Sequence, residues 1–211
     1  MCDIGQIIPG IKTDFKYAKE DNFTHTILYP SITTTYLRRP VALALREVQE
    51  ELATQKLALK IWDAYRPYAV TKRMWDLIKD ERYVADPSKG SGHNRGIAVD
   101  LTIISTQNGK ELDMGTGFDN FSDSAHHSFR YLPENVLQNR SLLRALMIRN
   151  GFVPLETEWW HYYYKEGNFE VLDLTFDSLA ALAKNQSKKS GKESNEILHN
   201  SRRSQRRPSR Q

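Results

Sequence analysis

The chain holds 211 residues, 39% hydrophobic and 27% charged, enough to bury a core without staples. A single cysteine, Cys2, excludes an intramolecular disulfide and redox chemistry through a Cys pair. No apolar run approaches the ~18 to 20 residues of a membrane-spanning helix, and the opening MCDIGQIIPG lacks the basic start and apolar stretch of an export signal.

The net charge of +4 is unevenly placed. From Lys184 to Gln211 nine Lys or Arg stand against two Glu, which leaves 21 of the 30 basic and 24 of the 26 acidic groups in residues 1–183, a balance of −3. The expected organisation is therefore one domain over 1–183 and a basic tail over 184–211, whose Ser, Lys, Arg and Asn composition is that of disorder. The favoured reading of such a tail is a solvated extension with no role of its own, ahead of nonspecific contacts with anionic surfaces. It contains no aromatic residue to stack on a base, so no nucleic-acid partner is required.

Along the chain, Leu45, Val48, Leu52 and Ala53 keep helical spacing after Pro40, which predicts an amphipathic helix over 39–54. Leu57, Leu59 and Ile61 then alternate in LALKIWD, a half-buried strand. A second helix is predicted over 68–79. In IAVDLTI the residues Ile97, Val99, Leu101 and Ile103 share one face, and the pleat turns Asp100 to the other. A third helix is predicted over 139–150 with Gly151 just past its end. WWHYYY is β-prone and closes the domain as a strand. Helices and strands mix without a regular βαβ repeat, so the fold class is α+β: one small, mainly antiparallel sheet flanked by helices.

Three segments carry the chemistry: WDAYRP (62–67), SGHNRGIAVD (91–100) and EWWH (158–161). Singly, a His before a glycine or an Asp at a strand start does no more than cap a turn. Together they offer His93, Asp100 and His161, the His and carboxylate set of a catalytic zinc that keeps one position open for water. Glu158 lies three residues before His161, an odd offset that a regular pleat sends to the opposite face; sharing the site requires it to precede the strand or sit at a bulge. His126 and His127 are neighbours that do not face one another, which predicts surface placement. The aromatic cluster from Trp159 to Tyr164 reads as packing.

The run Ser91, His93, Gly96, Ala98, Asp100, followed distantly by Glu158, Trp160 and His161, resembles the zinc D-alanyl-D-alanine dipeptidases of the vancomycin-resistance type. The likeness extends to DFKYAKEDNFT, WDAYRP, MGTGFDNF and the 139–151 helix, and covers roughly residues 3–170. It implies one zinc per chain held by His93, Asp100 and His161 at the sheet face, Glu158 as catalytic base and Arg66 as the group that stabilises charge on the scissile carbonyl. It also implies a small dipeptide as substrate, with Asp119 and Tyr17 near its free amino end and Ser91 in the loop that approaches it. Read from the residues alone, Arg66 also suits a surface position or a structural salt bridge, Asp119 a turn and Tyr17 the core. The sequence departs from the family's commonest pattern at Gly92, where a second serine is frequent.

The expected function is zinc-dependent hydrolysis of D-Ala-D-Ala. Alternatives are a related carboxypeptidase or endopeptidase acting on peptidoglycan peptides, and a non-catalytic binding module on the same zinc fold, as in hedgehog-type signalling domains. Retention of Glu158 and Arg66 favours an enzyme, and the lack of a wall-binding repeat disfavours a wall-cleaving one. The expected location is cytoplasmic; removal of a signal ahead of Cys2 would make it periplasmic or lipid-anchored.

Overall fold

A computed structural model describes residues 1–81 and 84–184. The chain divides into two units, Met1–Leu174 and Thr175–Gln211. In the second, residues 176–184 are helical; past Lys184 the expected tail lies outside the described residues.

In the first unit a short pair of antiparallel strands, β1 (Cys2–Asp3) and β3 (Tyr36–Leu37), brackets the one-turn helix α1 (Ile4–Ile7). The main sheet has five strands in the order β2 (Lys12–Thr13), β4 (Leu57–Asp63), β5 (Ala98–Ser105), β7 (Glu158–Tyr164), β6 (Phe152–Leu155). Only the edge pair β2 and β4 is parallel. Helices α2 (Arg39–Ala53), α3 (Tyr68–Ile78), α4 (Gly92–Arg95) and α5 (Glu134–Arg149) surround it, and no helix among the described residues is long and apolar enough to cross a membrane.

The α+β expectation holds, and α2 is almost the predicted helix. Pro40 sits in its first turn, where a missing N–H costs nothing, and Val41, Leu45, Val48 and Leu52 are fully buried along one stripe. They form one core with Leu59 and Ile61 of β4, Val99, Leu101 and Ile103 of β5, and Leu143 and Met147 of α5. Ala53, predicted to share that stripe, is exposed at the helix end. Helix α3 ends one residue earlier than predicted, because Lys79 takes a left-handed φ of 48° as its cap. Helix α5 starts five residues earlier, directly after Pro133, and Gly151 follows its end with φ +86° as expected. The hydrophobic stripe masked that start, whereas proline immediately ahead of a polar first turn announces it.

Strand β4 differs from the half-buried reading, since Trp62 and Asp63 are buried as well. The core side of the sheet is covered by α2 and α5, and the site residues lie on its other face.

Leu45 has no exposed surface at the centre of the core, so Leu45→Ala is expected to cost ~2 to 5 kcal/mol of unfolding free energy. Ile148→Ala on the exposed side of α5 is expected to stay within about 0.5 kcal/mol; urea denaturation of both variants checks the pair.

Candidate active site

The central strand β5 carries Asp100, and irregular pairing on both sides of the sheet surrounds that residue with partners. On the β4 side the register runs Ile61 to Leu101 and then Asp63 to Asp100, so Trp62 is an extra residue. A regular ladder would set Trp62 opposite Asp100 and turn Asp63 to the helix side. On the other side Asp100 pairs directly with His161. Between β6 and β7 the register jumps from Pro154 opposite Tyr162 to Leu155 opposite Glu158, leaving Trp159, Trp160 and His161 without β6 partners. This irregularity is the one the odd spacing of Glu158 demands, and it brings Glu158 Oε2 to 4.0 Å from His161 Nδ1.

His93 arrives from α4. Ser91 caps this single turn in a reciprocal capping box with Asn94, and Gly96 ends it at φ 69°; the predicted glycine-flanked turn is thus a helical turn with a glycine at each end. A Cβ at Gly92 would stand 2.8 Å from Ala98 Cβ, so close packing of α4 on β5 calls for glycine there. The His93 Nδ1 lies 2.7 Å from the Ala64 carbonyl. A carbonyl only accepts, so Nδ1 donates to it and Nε2 is the ring nitrogen that faces Asp100 and His161.

His93, Asp100 and His161 each offer one ligand atom, and the three lie within 4.8 Å of one another. Separations are 3.3 Å from His93 Nε2 to His161 Nδ1, 3.3 Å from His93 Nε2 to Asp100 Oδ2 and 2.9 Å from His161 Nδ1 to Asp100 Oδ1. Donors at ~2.0 to 2.1 Å from a tetrahedral zinc stand ~3.3 to 3.4 Å apart. Two imidazole nitrogens and a carboxylate converging on one point are the donor set that zinc takes, and the cluster suits a single ion. Burial works against the Asp100 carboxylate, yet His93 and His161 outweigh it and hold Asp100 well below the usual carboxylate range.

Arg66, 8% exposed, is forked onto Asp63 through Nε at 3.0 Å and Nη2 at 2.7 Å, and its Nη2 stands 4.0 Å from Asp100 Oδ2. The salt bridge that the sequence left as one option is therefore real, and it aims a buried guanidinium along the site wall. Asp63 also accepts from the Tyr29 hydroxyl at 2.7 Å and from the Ala64 N–H at 2.9 Å. Asn94, fully buried, donates to the Arg66 carbonyl at 2.9 Å and to Thr71 Oγ1 at 2.8 Å. Neither Asp63 nor Asn94 is singled out by the sequence reading, although both sit inside its motifs. The available signal for Asp63 was an acid at the end of an apolar strand.

Glu158, Arg66, Asp119, Tyr17 and Ser91 line one pocket of about 220 Å³ with the three cluster residues. Burial pushes Glu158 up to about 7; His161 and Arg66 oppose that shift and Asp100 adds to it. The Tyr17 hydroxyl donates to Asp119 Oδ1 at 3.2 Å, and Arg66 lies over the Tyr17 ring at 5.0 Å. Asp119 takes a left-handed φ of 56°, and its Oδ2 is buried with no hydrogen-bond partner. Burial, then the charges of Asp100 and Glu158, raise its carboxyl well above the usual range. Ser91 Oγ is engaged in the α4 cap at 3.3 Å from the Asn94 N–H. A larger hollow of about 730 Å³ lies on the far side of Asp119; the metal cluster belongs to the smaller pocket.

The remaining expectations divide. Trp159, Trp160 and Tyr162 are packed in the core, as read. His126 and His127 are half-buried instead of lying on the surface: the 123–128 loop folds back onto β7, and the His127 ring meets Tyr162 edge-on at 5.9 Å.

A family model described as D-Ala-D-Ala dipeptidase matches residues 1–200. The chain is 36% identical over 162 residues to a D-alanyl-D-alanine dipeptidase of Escherichia coli, covering 77% of this chain and 83% of that protein. It is 33% identical over 185 residues to the D-alanyl-D-alanine dipeptidase of Enterococcus faecium, covering 77% of this chain and 90% of that one. A relative of the same name in Streptomyces coelicolor is 32% identical over 182 residues, covering 77% of this chain and 90% of the other. With the donor set in place, the chain belongs to the D-Ala-D-Ala dipeptidase family and is a zinc metallopeptidase of that type.

Proposed function

We propose that the chain hydrolyses free D-alanyl-D-alanine to two D-alanines, with Glu158 and Arg66 performing the chemistry and Asp119, Tyr17 and Ser91 shaping the dipeptide site. The observation that supports this most is the convergence of the three metal donors with Glu158, whose carboxylate stands 4.0 Å from His161 Nδ1. When held by His93, Asp100 and His161, zinc supplies Lewis acidity, which lowers the pKa of water toward ~7 and polarises a peptide carbonyl.

On this reading Glu158, which lines the same pocket, accepts the proton of the attacking water and passes it to the leaving amine. Arg66 is fixed by Asp63 before substrate arrives, so its charge meets the developing oxyanion without reorganisation. Asp119 presents a buried oxygen lacking a donor, the complement of an ammonium group, and Tyr17 steadies its other oxygen. An ammonium bound there fixes the length of the substrate: a chain extended at its amino end has no charge to offer Asp119. This favours a dipeptidase over a carboxypeptidase of longer peptides. The cytoplasm, where free D-Ala-D-Ala is made as a wall precursor, is the location this substrate suits.

Glu158→Gln is expected to keep one zinc per chain by metal analysis and to lose activity by on the order of 10²-fold or more, because the amide is nearly isosteric but accepts no proton. Turnover near the wild-type rate would move the base elsewhere.

Capping the substrate amine removes a charge-assisted hydrogen bond and leaves Asp119 unpaired. N-acetyl-D-Ala-D-Ala is therefore expected to fall about 10²-fold or more below D-Ala-D-Ala in kcat/KM, and Asp119→Ala to narrow that gap. Comparable kcat/KM on the two substrates would retire the dipeptidase reading and leave a zinc peptidase of longer chains.

A further inference from the structure

Of the two neighbouring histidines that the catalytic reading leaves unused, His127 lines a second pocket, on the opposite side of β7 from the metal cluster. Along β7 the side chains alternate: His161 faces Asp100 and the cluster, and Tyr162, paired with Val99, faces the helix side. There a pocket of about 300 Å³ opens between α5 and the loop after residue 126, lined by His127, Arg130, Arg140, Arg144 and Glu156 among others.

Its charge is unbalanced. Three guanidinium groups meet one carboxylate, and among the described residues none of the three forms an ion pair. Arg140 is 5% exposed and spends Nε, Nη1 and Nη2 on the carbonyls of Met114, His126 and Ser124, which anchors it without neutralising it. Burial lowers its pKa to about 10, so it stays charged near neutral pH. Arg130 and Arg144 are exposed at the rim. Glu156 turns its Oε1 to the Ser128 N–H at 2.9 Å instead of to an arginine.

Two buried polar atoms beside these cations also lack partners: Nε2 of His127, and the hydroxyl of Tyr162, a residue with no exposed surface. Arg140 and Arg144 both act electrostatically on that hydroxyl. Desolvation, and then Arg144, push His127 down to about 4, so at neutral pH its ring is uncharged with one N–H to donate. An unpaired buried histidine nitrogen at the wall, beside guanidinium groups that outnumber the single lining carboxylate, is costly in an empty pocket, and an oxyanion relieves both the unpaired nitrogen and the excess charge.

We propose that this pocket is a second ligand site, one that binds a small oxyanion, a carboxylate or a phosphate group, between His127 and the Arg140 and Arg144 guanidinium groups. The site is separate from the dipeptide pocket and shares no lining residue with it. Arg140 supplies a fixed buried charge, Arg144 and Arg130 supply mobile donors from the rim, and His127 supplies a neutral donor at the wall. Phosphate fits through bidentate contact with a guanidinium, and a carboxylate fits through the same fork.

The test uses the full-length zinc-loaded protein with inorganic phosphate and with succinate as separate probes, followed by NMR of the histidine ring signals. Phosphate, succinate or both are expected to shift the His127 ring saturably, with a Kd in the millimolar range typical of small anions. Because Arg130 and Arg144 are exposed, R130A/R144A is expected to fold and to weaken that binding by on the order of ten-fold or more. An anion bound instead at the zinc would move His93 and His161 signals and survive R130A/R144A unchanged. A response to phosphate alone identifies a phosphoryl ligand, and one to succinate alone a carboxylate ligand. A His127 ring unmoved by both probes, or a shift of equal affinity in R130A/R144A, overturns the proposal.

Discussion

The site depends on one pairing: Asp100 of β5 directly opposite His161 of β7, with their ligand atoms 2.9 Å apart. Antiparallel register sets this distance before any metal arrives, because facing residues on one face of a ladder hold their side chains side by side. Irregularities then fill the space around the pair. The extra residue Trp62 turns Asp63 toward the site, and the stretch from Trp159 to His161, which lacks partners on β6, lets Glu158 share the pocket despite its odd offset. A sheet of regular pleat would carry the same residues and lack the site.

The charges show what such a site is built to receive. Asp63 is answered by Arg66 through two short hydrogen bonds. That leaves Asp100, Glu158 and Asp119 together in a buried pocket, with the last two pushed toward their neutral forms by burial and by the charge of Asp100. Like charges crowded in low dielectric are costly unless cations join them. A dication at the donor set and an ammonium at Asp119 are the cations this arrangement suits. The same reasoning with opposite sign applies behind β7, where three guanidinium groups share one lining carboxylate.

Much of this was legible in the sequence. The alternation in IAVDLTI put Asp100 on the site face, and the offset of Glu158 from His161 demanded a bulge that the β6 and β7 pairing contains. Helix α2 followed from a proline and a 3.6-residue stripe. Long-range partnerships were not legible. Nothing local tells that Asp63, which grips Arg66 three residues on, will also accept from Tyr29, or that Asn94 will tie α4 to the Arg66 backbone and to Thr71 of α3. His127 was misplaced on the surface for the same reason: its environment comes from β7 and α5, distant in the chain.

The claim on which the rest stands is that His93, Asp100 and His161 hold one catalytic zinc. Anomalous diffraction at the zinc edge from crystals of the metal-loaded protein tests it most directly. The account predicts a single strong peak ~2.0 to 2.2 Å from His93 Nε2, an Asp100 oxygen and His161 Nδ1, with a fourth position held by no protein atom. A peak held by other residues, or a fourth protein ligand closing the site, would contradict it.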